Sequence, residues 1–439
     1  MLTVIQTTAL VMSVVFLVYV LVIVVPFLRQ RPRPHGDAAD LQWHLFVPCR
    51  DEEAVIGTTL DYLRRHFPQA HIWVIDDASE DATATQVSLH AGDTGRVHLV
   101  SRYRPEARKG KGEALNSAYD ALDEWLPPGA DRHQVIVGVV DADGRPSRSC
   151  LDICASPHLF GDPQVSAVQV TVRMINRNDR RPFPGRGRLA NLAGRALVRM
   201  QDIEFRAAIA AIQLTRHHTR TAALGGNGQF TRLSALDSVR ASYGRPWHCA
   251  LLEDYELSLH LLTTGHRIEY APEAVIDQEG LPRLDRLLAQ RTRWGQGTMQ
   301  CGRYLSRIWT CGHLPRRGVL EVSYYLVLPW LYLLGTFVYP IPFIASVYYG
   351  AHTSGVLASV LLVLLGLAPL AIWGPLYARN EPGIPLWRSL GYGVLYAMYV
   401  LLFYVSSWRA FFRIVRGRDT WLKTRRNAEP AEGATALEL

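Results

Sequence analysis

Cysteine is scarce: 439 residues contain six, and no two form a C-x-x-C pair. That excludes a disulfide framework and disfavours a thiolate zinc site. Cys150 and Cys154 stand at i, i+4 with no second ligand pair nearby, which reads as reduced, structural thiols in a cytosolic domain. No G-x-x-x-x-G-K-[ST] occurs, so a P-loop ATPase is disfavoured. Gly225-Gly226-Asn227-Gly228 lacks the third glycine of the dinucleotide fingerprint and lies too late in the chain for one. Internal repeats and low-complexity tracts are absent. Charge is missing in blocks, since 1–28, 322–378 and 389–408 hold no Asp, Glu, Lys or Arg.

Those blocks define a membrane frame. Residues 2–28 are long enough to cross ~30 Å of hydrocarbon. They lack a basic n-region and an A-x-A site, so they read as a retained helix rather than a cleaved signal peptide. Net charge is +8, and much of the excess flanks the apolar blocks. Arg29, Arg31 and Arg33 follow the first; Arg409, Arg413, Arg416, Arg418, Lys423, Arg425 and Arg426 follow the last. Topology accounts for this better than a nucleic-acid groove does, and it puts the intervening domain and the tail in the cytosol. The expected organisation is a membrane helix at 1–28, a catalytic domain at 41–300 and an interfacial segment at 301–318. A membrane region of three to four helices follows at 319–408, then a basic cytosolic tail at 409–439 that is disordered at its end. Apolar stretches are Val322–Gly350, Gly355–Ala378 and Ser389–Trp408. A break at Tyr339-Pro340-Ile341-Pro342, making four C-terminal crossings, or two crossings plus a re-entrant piece, would return the tail to the cytosol.

The central region alternates short apolar strands with amphipathic helices. Strands are predicted at Trp43–Pro48, His71–Asp76, Val97–Ser101, Gln134–Val140 and Val165–Val172, with a helix over Glu53–His66 carrying Ile56, Leu60 and Leu63 on one face. This βαβ pattern predicts an α/β, doubly wound, mostly parallel sheet whose ligands bind beyond the strand C-termini. The polar clusters fall there.

Asp141-Ala-Asp143 follows the strand Val135–Val140. Two carboxylates at i, i+2 can hold Mg2+ or Mn2+ against a diphosphate, although D-A-D-G is also good turn chemistry. Asp76-Asp77, after Val74-Ile75, can hold a base and ribose; helix capping is the rival. Lys111 can reach a phosphate or sit in a solvated basic loop. Glu253 and Asp254 open a helix, where acids are favoured in any case, yet Asp254 can also deprotonate an acceptor hydroxyl. In Gln290-Arg291-Thr292-Arg293-Trp294, arginine can neutralise a diphosphate and Trp can stack on a sugar; an interfacial anchor is the alternative.

In order and spacing, D-x-D at 141–143, E-D at 253–254 and Q-x-x-R-W at 290–294 resemble the membrane-integrated family 2 glycosyltransferases. These include cellulose, chitin, hyaluronan and poly-N-acetylglucosamine synthases and related glycolipid synthases. Val47–Glu53 resembles their opening nucleotide-binding segment, Lys111–Asn116 their K-A-G-A-L-N, Gly225–Arg232 their glycine-rich acceptor loop, and Asp419–Arg425 a basic cytosolic ending. Asp51 replaces the usual Asn, and Glu113 replaces a small residue. The resemblance implies a GT-A fold and inverting transfer from a UDP-sugar. Glu52, Asp76 and Asp77 would hold the nucleoside; Asp141 and Asp143 the diphosphate and the metal, with Lys111 nearby. Asp254, beside Glu253, would be the base, and Gln290, Arg291, Arg293 and Trp294 would close the site.

Two products compete. A growing β-linked polysaccharide is the first expectation, made at the plasma membrane by a multi-pass protein with a cytosolic catalytic domain, with export accessory subunits as partners. Tyr324, Tyr325, Trp330, Tyr332 and Tyr339 would then stack on sugars. The alternative is a glycolipid synthase adding one or a few sugars to a membrane lipid such as diacylglycerol, favoured by the short membrane part. A nucleotide-binding scaffold without catalysis is disfavoured, because every carboxylate position is filled.

Overall fold

A computed structural model describes residues 2–91, 95–248, 250–348 and 353–418. The segment Asp419–Arg425, singled out above, and most of the predicted tail lie outside them.

Among the described residues eight strands form one sheet. They are β1 (Gln42–Cys49), β2 (His71–Asp77), β3 (Val97–Arg102), β4 (Val135–Val139), β5 (Arg145–Pro146), β6 (Val165–Met174), β7 (Gln229–Arg232) and β8 (Arg267–Gln278). Their spatial order is β3-β2-β1-β4-β7-β6-β8-β5. The first four are parallel, as β-branched runs buried on both faces require. Beyond β4 the sheet is mixed: β7 runs antiparallel to both β4 and β6, β5 is antiparallel to β8, and β6 pairs parallel with β8. The five predicted strands correspond to β1–β4 and β6. The glycine-rich segment ends in β7, which joins the two halves.

Helices cover both faces. In chain order they are α1 (Leu2–Arg29), α2 (Ile56–His66), α3 (Thr83–Ala91), α4 (Lys111–Trp125), α5 (Cys150–Cys154), α6 (Arg188–Ile203), α7 (Ala210–Thr219), α8 (Leu233–Tyr243) and α9 (Glu253–Thr263). There follow α10 (Leu284–Cys301), α11 (Leu305–Thr310), α12 (Arg316–Val338), α13 (Pro340–Tyr348), α14 (Thr353–Leu367), α15 (Trp373–Arg379) and α16 (Leu386–Val415). The stripe Ile56, Leu60 and Leu63 of α2 packs with Leu45, Val47 and Val74. On the other face Ala114, Leu115, Ala118 and Leu122 of α4 pack with Phe46, Trp73 and Val137. A π-helical turn, Glu204–Ile209, joins α6 to α7.

Among the described residues four helices are long and apolar enough to cross a membrane: Thr3–Arg29, Arg316–Ala345, Leu357–Arg379 and Leu386–Val415. Tyr339–Pro342 does not turn the chain back. Pro340 and Pro342 have no N–H to give to Thr336 and Val338, but Tyr339 keeps helical dihedrals and its amide still donates to Gly335, so the helix continues past them. The last helix, α16, is held at both ends to the domain built on the sheet. Glu381, just before it, receives hydrogen bonds from Arg206 at 2.5 Å and Arg177 at 3.4 Å. At its far end Arg413 donates to Gln296 at 2.7 Å, and Gln296 to the Arg418 carbonyl at 2.8 Å.

Candidate active site

The strand order reverses between β1 and β4, and such a switch point opens a crevice at the strand C-termini. Glu52 follows β1, Asp77 ends β2, and Asp141 and Asp143 follow β4; all four line one cavity of about 1040 Å3. The opening turn is set by Asp51, whose φ of 52° lies in the left-handed region that Asp and Asn tolerate better than other side chains. Its carboxylate accepts from the Glu80 amide at 2.8 Å. Asp in place of Asn therefore preserves the turn.

Asp76 and Asp77 part company. Asp77 faces the cavity, paired with Arg102 and accepting the Arg108 amide at 3.0 Å. Asp76 accepts the Ser79 amide at 3.1 Å and closes the turn.

Lys111 is not a solvated loop residue. Its ammonium donates to Asp141 Oδ1 at 2.6 Å and to the Gly226 carbonyl at 2.5 Å, and lies 3.9 Å from Glu253. Burial alone would lower its pKa, but Asp141, Glu253 and Asp254 outweigh that and the net shift is upward. Three separate motifs thus meet on one cation. Glu113 turns away and pairs with Arg245. Gly112 has no room for a side chain: a Cβ there would lie 2.7 Å from the His248 carbonyl oxygen.

Asp254, in the first turn of α9, is buried and accepts its neighbour's amide, Tyr255 N–H, at 2.7 Å. Burial, then the adjacent Glu253 carboxylate, push its pKa up to about 7. A carboxylate poised there can take a proton near neutrality.

Of the Q-x-x-R-W residues on α10, all of Gln290, Arg291, Arg293 and Trp294 line the cavity, but they face different partners. Arg293 is surrounded by Glu253, Asp141 and Asp254; burial pulls its pKa down against their attraction. Arg291 is committed elsewhere, donating to Glu204 at 2.5 Å, to Tyr399 at 3.1 Å and to Gln290 at 2.7 Å. Its guanidinium lies 3.9 Å over the Trp294 ring, which meets Phe205 edge-on. Arg291 therefore locks α10 to the π-helical turn and to α16, while Arg293 faces the carboxylates.

Asp141 and Asp143 are a workable divalent-cation pair. Asp143 Oδ2 is oriented by the Glu279 amide at 3.0 Å, and the Asp141 amide by the Asn227 side chain at 3.1 Å. Among the described residues no third His, Cys, Asp or Glu joins them. Two carboxylates leave the remaining oxygen positions of a Mg2+ or Mn2+ to phosphate and water, the arrangement such ions favour at nucleotide sites.

Sequence reasoning missed the support of this cluster. Gln169 on β6 accepts the Gly225 amide at 2.7 Å and donates to the Asn227 carbonyl at 3.0 Å, and Gln278 at the end of β8 accepts from Asn227 at 3.0 Å. Isolated glutamines in apolar strands were the available signal. Gly228 is obligatory, since it has φ of 73° and a Cβ there would lie 2.5 Å from Val170.

The cavity does not stop at the carboxylates. It continues between α1, α12, α14 and α16, past Val11, Phe16, Leu328, Leu331, Leu367 and Val400. Tyr324, Tyr325, Tyr332 and Tyr339 also line it, whereas Trp330 is exposed on the outer surface.

Residues 42–297 match the family described as Glycosyltransferase like family 2. A probable glycosyltransferase, YdaM, of Bacillus subtilis is 23% identical over 326 residues, 73% of this chain and 70% of that protein. A beta-monoglucosyldiacylglycerol synthase of Synechocystis is 28% identical over 316 residues, 70% of this chain but 58% of the relative. Its counterpart from Nostoc is 30% identical over 268 residues, 60% of this chain and 49% of the relative. The chain thus spans about half the length of these two synthases. Among solved structures, the mannosyltransferase PcManGT of Pyrobaculum calidifontis, in complex with GDP-Man and Mn2+, superposes with a TM-score of 0.57 at 18% identity. That superposition covers 92% of this chain and 99% of the other. With the family match spanning more than half its length, this chain belongs to glycosyltransferase family 2 and carries its catalytic domain in a GT-A fold.

Proposed function

We propose that the protein transfers a hexose or N-acetylhexosamine from a UDP-sugar to a membrane lipid, with inversion at the anomeric carbon. The observation that carries this reading is the continuity of the cavity: carboxylates and cations at the sheet end, aliphatic side chains at the helix end. Val11, Leu328, Leu331, Leu367 and Val400 suit acyl chains, although Tyr324, Tyr325, Tyr332 and Tyr339 beside them also give the aromatic surface that a polysaccharide conduit would use. The names of the cyanobacterial relatives point the same way. The lipid acceptor, given above as the alternative, is therefore preferred here to the growing polysaccharide.

Glu52 and Asp77 would hold the nucleoside, and Asp141 and Asp143 would hold Mg2+ or Mn2+ when bound, which stabilises negative charge on the departing diphosphate. Lys111 and Arg293 add positive charge from the protein itself. Asp254 accepts the proton of the attacking hydroxyl, with its burial and then the Glu253 carboxylate keeping its pKa high. The electrostatic work is local to the strand ends.

For the membrane, the reading is three crossings, made by α1, by α12 with α13, and by α14 with α15. The helix α16 would lie along the interface, because both of its ends hold to the catalytic domain. That places the N-terminus outside, with the catalytic domain and the basic tail in the cytosol of a plasma-membrane protein.

Membranes carrying the protein, offered radiolabelled UDP-glucose and UDP-N-acetylglucosamine separately with Mg2+ or Mn2+, test the product class. Label partitioning into organic solvent is expected. Label in ethanol-insoluble material digested by a β-specific glycosidase would replace this reading with a polysaccharide synthase.

A further inference from the structure

On the membrane side of Asp254 the cavity holds a second polar cluster that the transfer chemistry does not use. Arg216, on α7, is only 5% exposed. Its Nε donates to Glu321 Oε1 at 2.7 Å, and its guanidinium lies 4.7 Å over the Tyr325 ring. The Tyr325 ring is in turn 4.7 Å from that of Tyr255, the residue after Asp254. Thr221 donates to the other Glu321 oxygen at 2.9 Å, so the carboxylate is fully engaged.

Two polar atoms remain. Arg216 Nη2 and the Tyr255 hydroxyl are buried with no hydrogen-bond partner among the described residues, and both side chains line the cavity. A buried donor left without an acceptor is destabilising, and a ligand oxygen placed between these two groups would relieve both. Burial pushes the Tyr255 pKa well up, so the group stays a neutral hydroxyl that can donate or accept.

Charge decides what kind of ligand. Glu321 cancels Arg216, and Glu204 cancels Arg291, the other cation on this side. The remaining lining cations Arg50, Lys111 and Arg293 stand with the carboxylates at the nucleotide end. A lipid phosphate placed beside Tyr255 would bring an uncompensated charge into a buried site, which is costly. An uncharged headgroup brings none.

We infer that Arg216 Nη2 and the Tyr255 hydroxyl form an acceptor subsite for a neutral lipid alcohol of the glycerolipid type, and that the subsite discriminates against lipid phosphates. This rests on the lipid-acceptor reading above. Ester or ether oxygens of the acceptor accept from Arg216 and bond Tyr255, which brings the free hydroxyl to Asp254. In the transfer itself the lipid oxygen forms a bond to the anomeric carbon as the bond from that carbon to the diphosphate breaks. The hydroxyl proton passes to Asp254, and the nucleoside diphosphate leaves with the electron pair.

The test uses the full-length protein in liposomes with whichever UDP-sugar gives product, offering diacylglycerol and a polyprenyl phosphate at equal mole fraction. The kcat/KM for diacylglycerol should exceed that for the phosphate at least tenfold. Tyr255→Phe should raise the lipid KM roughly three- to tenfold, the equivalent of one hydrogen bond, and move the donor KM less. Glu321→Gln leaves Arg216 with an uncancelled charge and should narrow the preference for the neutral lipid. Equal or better use of the phosphate, an equal effect of Tyr255→Phe on both KM values, or an unchanged preference in Glu321→Gln each overturns the inference. A glycosylated lipid phosphate would sink this subsite while leaving a lipid-directed transferase intact; only insoluble polymer would remove both.

Discussion

The two ends of the cavity are built on opposite rules. At the sheet end Asp141, Glu253 and Asp254 gather around Lys111 and Arg293. Glu52, Asp77 and Asp143 line the same wall with Arg50, and Asp77 pairs with Arg102, so the lining carboxylates outnumber the lining cations. A divalent cation and a positively charged cradle can then make a diphosphate leave. At the helix end the charges come as closed pairs, Arg216 with Glu321 and Arg291 with Glu204, and the rest is aliphatic and aromatic. Unbalanced charge belongs where a substrate carries the balance; balanced charge belongs where the ligand is neutral. Asp254 stands at the border of the two, where the proposed lipid acceptor would have to give up its proton.

Breaking the border should do most. Asp254→Asn is expected to cut transfer by a factor of about 100 to 10,000 while leaving UDP affinity nearly unchanged, measured by product formation and calorimetry. Joint loss of binding and transfer would make Asp254 structural. The same residue sets a pH limb. A base works deprotonated, so kcat should fall about tenfold per pH unit below about 7 and level off above it. Next comes the sheet end alone. Asp143→Ala should abolish the dependence of UDP binding on Mg2+ or Mn2+, read by titration with and without metal; unchanged dependence removes Asp143 from the metal site. At the helix end alone, Leu328→Gln should raise the lipid KM about tenfold and leave UDP affinity within twofold, because it removes apolar contact only there. The smallest effect is a control. Glu113→Gln should leave UDP affinity within about twofold, since Glu113 pairs with Arg245 and not with Lys111.

The sheet end was largely legible in the sequence because its chemistry sits on local patterns. Val135–Val140 reads as a buried strand and Asp141-Ala-Asp143 as its polar exit, and strand C-termini converge in any parallel sheet. Long-range placement was not legible. Nothing near Lys111 in the sequence shows that its ammonium ends between Asp141 and Gly226. Nor could spacing separate Arg291 from Arg293, two residues apart on α10, because the partner of Arg291 is Glu204, on a different helix. β7 hid inside a glycine-rich segment, and β8, at Arg267–Gln278, was not read as a strand. At the helix end one local sign existed. Glu321 is a carboxylate at the threshold of an apolar block, where acids are expensive unless paired. Its partner Arg216 lies 105 residues away in sequence and carries no motif.

The claim that one cavity serves a nucleotide and a lipid is tested most directly by photo-cross-linking. Full-length protein in liposomes would be irradiated with a diacylglycerol bearing a diazirine on its acyl chain, in the presence of UDP and Mn2+, and the adducts mapped by mass spectrometry. Adducts on Phe16, Leu328, Leu331 and Val400, competed by unlabelled diacylglycerol, are the predicted result. Labelling confined to outward-facing residues such as Trp330, Leu386 and Val394, with none inside the cavity, would contradict it.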